Sequence, residues 1–184
     1  MVHQTISSAF VGPLLMILTT ERLILKPMAQ DDAPALHAIL GDETAMRYWH
    51  RPAIARLAVV EEMVREQIAA QDICRYWTVW RGPDAIGSCD LSLIEWAQMR
   101  AETGFLFRRD QWGHGFAREA MAAVAGHAFE ILELELLIAK THAQNAAARR
   151  VLERLGFALE QVAGSYAPAP GLIMDCAFYT LRRD

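Results

Sequence analysis

The chain has 184 residues, 53% of them hydrophobic and 22% charged, with eleven glycines, seven prolines and a formal net charge of -4. That length and balance suit one well-buried domain needing no disulfide or metal staple, and they exclude a disordered or collagen-like chain. A negative balance provides no whole-molecule attraction to nucleic acid or to anionic lipid, so neither is expected as a partner.

The apolar stretch Ile6–Leu18 has no Lys or Arg before it, is interrupted at Gly12-Pro13, and is too short to cross a bilayer. Residues 1–19 therefore read as an N-terminal extension and residues 20–184 as one domain, with Met16 an equally acceptable start. Glu21 to Lys26 alternates as a strand does and is ended by Pro27, which cannot continue a ladder. Asp31 and Asp32 offer an N-cap to a short helix over Ala33–Leu40, closed by Gly41. Leu57–Gln71 carries Val60, Met63, Val64 and Ile68 near helical spacing, which predicts an amphipathic helix.

Arg75–Trp80, Ala85–Leu93 and Arg100–Phe107 read as three strands of a meander, the first two joined by the turn Gly82-Pro83-Asp84. Apolar residues at Phe116, Ala120, Met121, Val124, Ala128 and Phe129 predict a helix over Phe116–Leu132, and Leu134–Thr141 a following strand. Asn145 can cap a helix through Leu155 that Gly156 stops in a left-handed conformation, and Phe157–Gln161 and Leu172–Leu181 are the last strands. Cys74, Cys89 and Cys176 are widely spaced with no CxxC pair, which argues against a disulfide framework and a zinc site and for a reducing cytoplasm.

The feature that carries chemistry is Trp112-Gly113-His114-Gly115-Phe116-Ala117, a glycine turn between a strand and a helix. A helix N-terminus presents unpaired N–H groups and the positive end of the helix dipole, which makes it an anion site that glycines open to close approach. The Rossmann spacing requires a glycine where Arg118 stands, and a P-loop requires a Lys and a hydroxyl that are absent. Two glycines alone are better read as an ordinary strand-to-helix turn, so a second feature has to decide.

Together with Asn145-Ala146-Ala147-Ala148-Arg149-Arg150-Val151-Leu152-Glu153-Arg154-Leu155-Gly156-Phe157, the turn resembles the GNAT acetyltransferase superfamily. There a Gln/Arg-x-x-Gly-x-Gly/Ala turn binds CoA pyrophosphate and an Asn opens the next helix. Gly115 and Ala117 take the fourth and sixth motif places, and Trp112 stands where Gln or Arg is usual. The Trp-Gly-x-Gly-Phe-Ala form looks like the branch that acetylates N-terminal alanines of ribosomal proteins. The resemblance runs from Thr20-Glu21-Arg22-Leu23 to the C-terminus and takes in Ala101-Glu102-Thr103-Gly104-Phe105. It implies an α+β fold with a mixed, mostly antiparallel central sheet of about seven strands, splayed in the middle and flanked by about four helices. It also implies acyl-CoA-dependent N-acyl transfer with acetyl-CoA as co-substrate, no metal and no membrane partner, by a monomer or homodimer.

By the same resemblance, pantetheine enters the splay beside Phe105, Leu106 and Phe107. The N–H groups of Gly113, His114, Gly115, Phe116 and Ala117 hold the pyrophosphate, with Arg108, Arg109, His114 or Arg118 as charge partners. Asn145 reaches pantetheine, and Arg149 or Arg150 the same cofactor. Glu102 is the expected general base and His142 its rival. Ala148 falls where the branch often carries Ser, so Tyr179 or Tyr166 is the substitute donor to the departing sulfur. Tyr48 and Trp49, with the hairpin at Glu95 and Trp96, are expected to shape the acceptor pocket. An α-amino group of pKa about 7.7 to 8.0 is easier to neutralise than a Lys amine near about 10.4, which favours a peptide N-terminus as acceptor. The alternatives are a small amine such as an antibiotic, polyamine or amino acid, a non-catalytic CoA-binding module, and a flavin- or nicotinamide-binding domain.

Overall fold

The computed structural model describes residues 16–169 and 172–183, and the expected extension over residues 1–15 lies outside them. Eight strands form one sheet: β1 (Leu18–Thr19), β2 (Ile24–Pro27), β3 (Arg75–Arg81), β4 (Asp84–Glu95), β5 (Arg100–Phe107), β6 (Leu136–His142), β7 (Ala158–Ala169) and β8 (Leu172–Arg182). They lie side by side in the order β1-β2-β3-β4-β5-β6-β8-β7, and among neighbours only β5 and β6 run parallel. The helices are α1 (Ala33–Leu40), α2 (Glu43–Met46), α3 (Leu57–Ala69), α4 (Phe116–Gly126) and α5 (Ala146–Arg154). This is the α+β, mostly antiparallel architecture expected, with β1 and α2 added.

Both additions are too short to show a periodicity. β1 is two residues inside the stretch read as extension, and its backbone pairs with Leu25 and Ile24. α2 rests on Asp42, whose carboxylate accepts from Thr44 N–H at 2.8 Å and Ala45 N–H at 3.2 Å. β2 begins at Ile24 rather than Glu21 because Thr20 to Leu23 close a turn, with Thr20 N–H donating to Leu23 O at 3.0 Å. The helix expected over Phe116–Leu132 stops at Gly126 and goes on as a π-helical turn over His127–Ile131. There His127 packs edge-on against Trp77, their ring centroids 5.5 Å apart.

Strand side chains alternate between faces, so register sorts the sheet into two surfaces. One carries Trp77, Leu91, Ala101, Leu137, Ala139 and Tyr179 beneath α4 and α5 and forms the main core. The other is covered by α1 and α3 through Leu36, Ile39, Val60 and Val64, each no more than 2% exposed. Fully burying one such side chain is worth about 1.5 to 3 kcal/mol, so apolar contact is what keeps this helical layer on the sheet.

Asp32 is the polar exception beneath that layer. It stands before α1, but its side chain caps no N–H of that helix. Instead, one carboxylate oxygen accepts from Ala29 N–H at 3.0 Å and from the buried Thr78 hydroxyl at 2.6 Å. Asp32→Ala strands both donors, and an unfolding titration in urea is expected to show a loss of about 1 to 3 kcal/mol.

Candidate active site

β5 and β6 pair only over Arg100–Thr103 with Leu136–Ala139 and then diverge, which is the splay expected in the middle of the sheet. Phe105 and Phe107 project into the core beneath α4, and Leu106 packs beneath α1 and α3. What β5 offers the gap from Gly104 to Phe107 is therefore its backbone edge rather than these side chains.

At the mouth of the gap, Gly113 and Gly115 have φ of 80° and 81°, a left-handed conformation that disfavours any residue with a Cβ. Gly115 is the N-cap of α4. Among the described residues, no backbone carbonyl accepts from the N–H groups of Gly113 through Arg118. Arg118 is exposed on the first turn of α4. Arg108 is taken up by a two-point pair with Asp110 at 3.0 and 2.6 Å, which holds the guanidinium above and the carboxyl below their usual values. Arg109 lies 3.5 Å from Asp42. Trp112, where Gln or Arg is usual, donates from its indole to Phe107 O at 2.9 Å and ties the turn to the end of β5. A surface cleft of about 490 Å³ lies beside Arg108 and Asp110, against Ile39 and Trp80, and includes no residue of β6.

Arg22 is the cation that sequence reasoning missed. It donates to His114 O at 3.1 Å, sits 4.6 Å over the Phe116 ring, and is held by Glu119 through Nε at 2.6 Å. Burial works to raise the Glu119 carboxyl, but the Thr20 hydroxyl and Arg22 outweigh it and bring it below its usual value. Arg81 stands at 5.0 Å from the same ring. The glycine turn thus has two guanidinium groups beside it, brought by the β2 entry and the end of β3.

The sheet face beneath α1 and α3 holds a polar strip. Tyr76 on β3 is opposite Asp90 on β4, Asp90 is opposite Gly104 on β5, and Ser92 is opposite Glu102. Glu102 forms an ion pair with Lys140 of β6. His142, farther along β6, packs against Tyr48 at a tilt of 50° with centroids 5.2 Å apart, and Arg47 lies over the Tyr48 ring at 5.3 Å. Its Nδ1 accepts from Gln144 N–H at 3.1 Å, which puts the neutral ring's proton on Nε2. In that tautomer the ring nitrogen left free of Gln144 is a donor, whereas the sequence reading wanted a base.

Asp90 was not singled out from sequence. The residue is half-buried and keeps some solvent contact. Burial raises it to about 6, Ser92 hydrogen bonding opposes the rise, and Glu102 adds to it. Burial, then the facing Asp90, holds the Tyr76 phenol well above its usual range.

Other expected site residues lie elsewhere. Tyr179 points to the α5 side of the sheet, the face opposite Glu102, where its hydroxyl accepts from Arg149 Nε at 2.9 Å and donates to Glu153 at 2.9 Å. Arg149 also donates to Ala143 O at 3.1 Å, so its guanidinium braces β8 and the entry to α5 rather than facing the glycine turn. Asn145 caps α5 through Oδ1, accepting from Ala148 N–H at 3.1 Å. Glu95 pairs with Arg100 at 2.7 Å and the Trp96 indole donates to Asp72 O at 3.1 Å, both at the paired end of β5, away from the splay. Trp49 packs on the α1–α3 cluster, and Tyr48 alone of this set meets the strip.

A sheet parted between two parallel strands, with open N–H groups of a glycine turn at its mouth, is the frame of an acyl-CoA-dependent N-acetyltransferase. The family model described as an acetyltransferase (GNAT) domain matches residues 22–158, and the chain belongs to that family. It is 27% identical over 168 residues to the uncharacterized N-acetyltransferase p20 of Bacillus licheniformis, covering 89% of this chain and 94% of that one. The fold is similar to that of RimL, a ribosomal L7/L12 alpha-N-protein acetyltransferase solved with coenzyme A, with a TM-score of 0.83, 18% identity, and coverage of 91% and 98%. It is likewise similar to spermidine N-acetyltransferase from Vibrio cholerae solved with CoA and spermine, with a TM-score of 0.79, 21% identity, and coverage of 89% and 96%.

Two measurements test the geometry. Gly115→Ala carries a strain of about 1 kcal/mol from its positive φ and displaces the open N–H groups. CoA is expected to raise the melting temperature of that variant less than that of the wild type, with a Kd about tenfold weaker. For Asp90, the folded carboxyl titrates at about 6 against 3.8 for the ordinary group, so it favours folding while protonated, and that contribution disappears as the pH rises through about 6. Asp90→Asn is therefore expected to stabilise the protein near pH 8, on the order of 1 to 3 kcal/mol, and to leave it unchanged below pH 4. Chemical denaturation at both pH values checks this.

Proposed function

We propose that the chain transfers the acetyl group of acetyl-CoA to the α-amine of a peptide N-terminus. The reading rests on the charge of the acceptor side. Glu102 is matched there by Lys140, and Arg47 and His142 border Tyr48, which leaves Asp90 as the one carboxylate of the strip without an ion pair among the described residues, fewer than a polyamine's several ammonium groups require. An ammonium of pKa about 7.7 to 8.0 is also within reach of a carboxylate base, whereas one near about 10.4 asks far more of it.

Acetyl-CoA supplies the thioester, an electrophile with a thiolate leaving group. The backbone edge from Gly104 to Phe107 receives pantetheine as a sheet receives another strand. The N–H groups of Gly113 to Arg118 take the pyrophosphate, and Arg22 and Arg118 add charge. Asn145 offers its side-chain nitrogen to the pantetheine while its oxygen caps α5. Glu102 is the carboxylate that the incoming ammonium meets, and Tyr48 with His142 forms the wall for the peptide's first residue.

In a thiol-release assay, peptides with a free N-terminus are expected to give a kcat/KM at least about tenfold above that for spermidine, and Glu102→Gln to lower it by about 100-fold. Faster turnover of spermidine or another small amine overturns the acceptor assignment. Unchanged turnover in Glu102→Gln overturns the role of Glu102.

A further inference from the structure

The acceptor reading leaves Asp90 without a task, although Asp90 occupies the central point of the polar strip. It lies opposite Gly104, the first residue of β5 beyond the last β6 pair, and therefore beside the opening of the gap. A methyl group at position 104 would stand 2.9 Å from Oδ1 of Asp90, so it is the bare glycine that lets this carboxyl lie over β5. Glu102 is engaged by Lys140, whereas Asp90 has no ion pair among the described residues.

We propose that Asp90 is a catalytic residue that takes the proton of the acceptor ammonium while Glu102 holds that ammonium in place. The proposal rests on the reading that an amine is acetylated at this gap, but not on which amine. An N–H bond of the ammonium breaks as an O–H bond forms on Asp90, and the freed lone pair attacks the thioester carbonyl carbon. The carbon–sulfur bond then breaks, the sulfur keeps its electron pair, and the second proton of the attacking nitrogen passes to it. The products are the amide and the thiol, and Asp90 returns its proton to solvent, with which the residue retains contact.

The groups around Asp90 suit that role. Tyr76 faces it from β3 with Cys74 beyond, Cys89 adjoins it and Ser92 lies two residues farther along β4, and Glu102, opposite Ser92 on β5, lies diagonally across from it with Lys140 of β6 behind. Partial burial and the Glu102 charge favour the protonated form, and titration at about 6 leaves the group ionised at neutral pH with a strong hold on an added proton. Keeping such a carboxyl where an amide would be more stable is the mark of a functional position.

The test uses the full chain and whichever amine turns over fastest, with kcat/KM for that amine measured from about pH 5 to about pH 9. The wild type is expected to rise through an apparent pKa near about 6 and to fall through the amine's own pKa. Asp90→Asn is expected to lose the acidic limb and about 100-fold in kcat, to bind CoA as the wild type does, and to melt no lower. A variant that keeps the wild-type limb and turnover overturns the proposal. So does one whose loss of turnover comes with lost CoA affinity or a lower melting temperature, because that residue would be structural. The ranking of amines bears on the acceptor assignment alone.

Discussion

Backbone N–H and C=O groups that leave water must find partners, and β5 beyond Thr103 has no β6 partner because the two strands part there. The rest of the site is arranged around that unsatisfied edge. α4 leaves from the end of β5 through the glycine turn, so its open N–H groups stand at the mouth of the gap. On the other side β6 is held by β8 along its full length, from Leu136 with Arg182 to His142 with Cys176, which keeps it from collapsing onto β5. Thus β4 and β8 hold the gap open from outside, and a strand-like ligand is the group that can satisfy it.

Local signals made part of this readable before folding. Gly115 and Asn145 are each recognised by what they do to the next turn of helix, and both occupy the caps their types favour. Phe105 and Phe107 read correctly as strand residues, but whether side chain or backbone faces a cofactor depends on how neighbouring strands diverge. Arg22 carried no local mark, since the Glu119 that orients it is 97 positions away. Asp90 was hidden for the same reason: its environment comes from Tyr76, Gly104 and Glu102, which only strand register brings together.

The residues whose expected roles shifted make the same point in reverse. Tyr179, Arg149 and Glu153 form a bonded group between β8 and α5, and a tyrosine hydroxyl saturated by a guanidinium and a carboxylate is a brace. Tyr179 pairs with Ala139 of the face beneath α4 and α5, and strand alternation decides that more firmly than residue chemistry does. Glu95 and Trp96 likewise went to the closed end of β5, where one makes a local ion pair and the other meets the end of α3 through Asp72.

The sheet order places β8, the last of the described strands, between β6 and β7. A ribosome delivers strands in sequence order, so β6 waits as a raw edge, and β7 has no neighbour to join, until β8 has been made. The wall of the gap that bears Lys140 and His142 is consequently the last to be fastened during synthesis. A nascent chain halted before β8 carries α4, the glycine turn and the polar half-strip of β4 and β5, but the open edge of β6 beside them. Such an edge is prone to pair with other chains, which makes the final strand a safeguard against misassembly as well as a wall of the site.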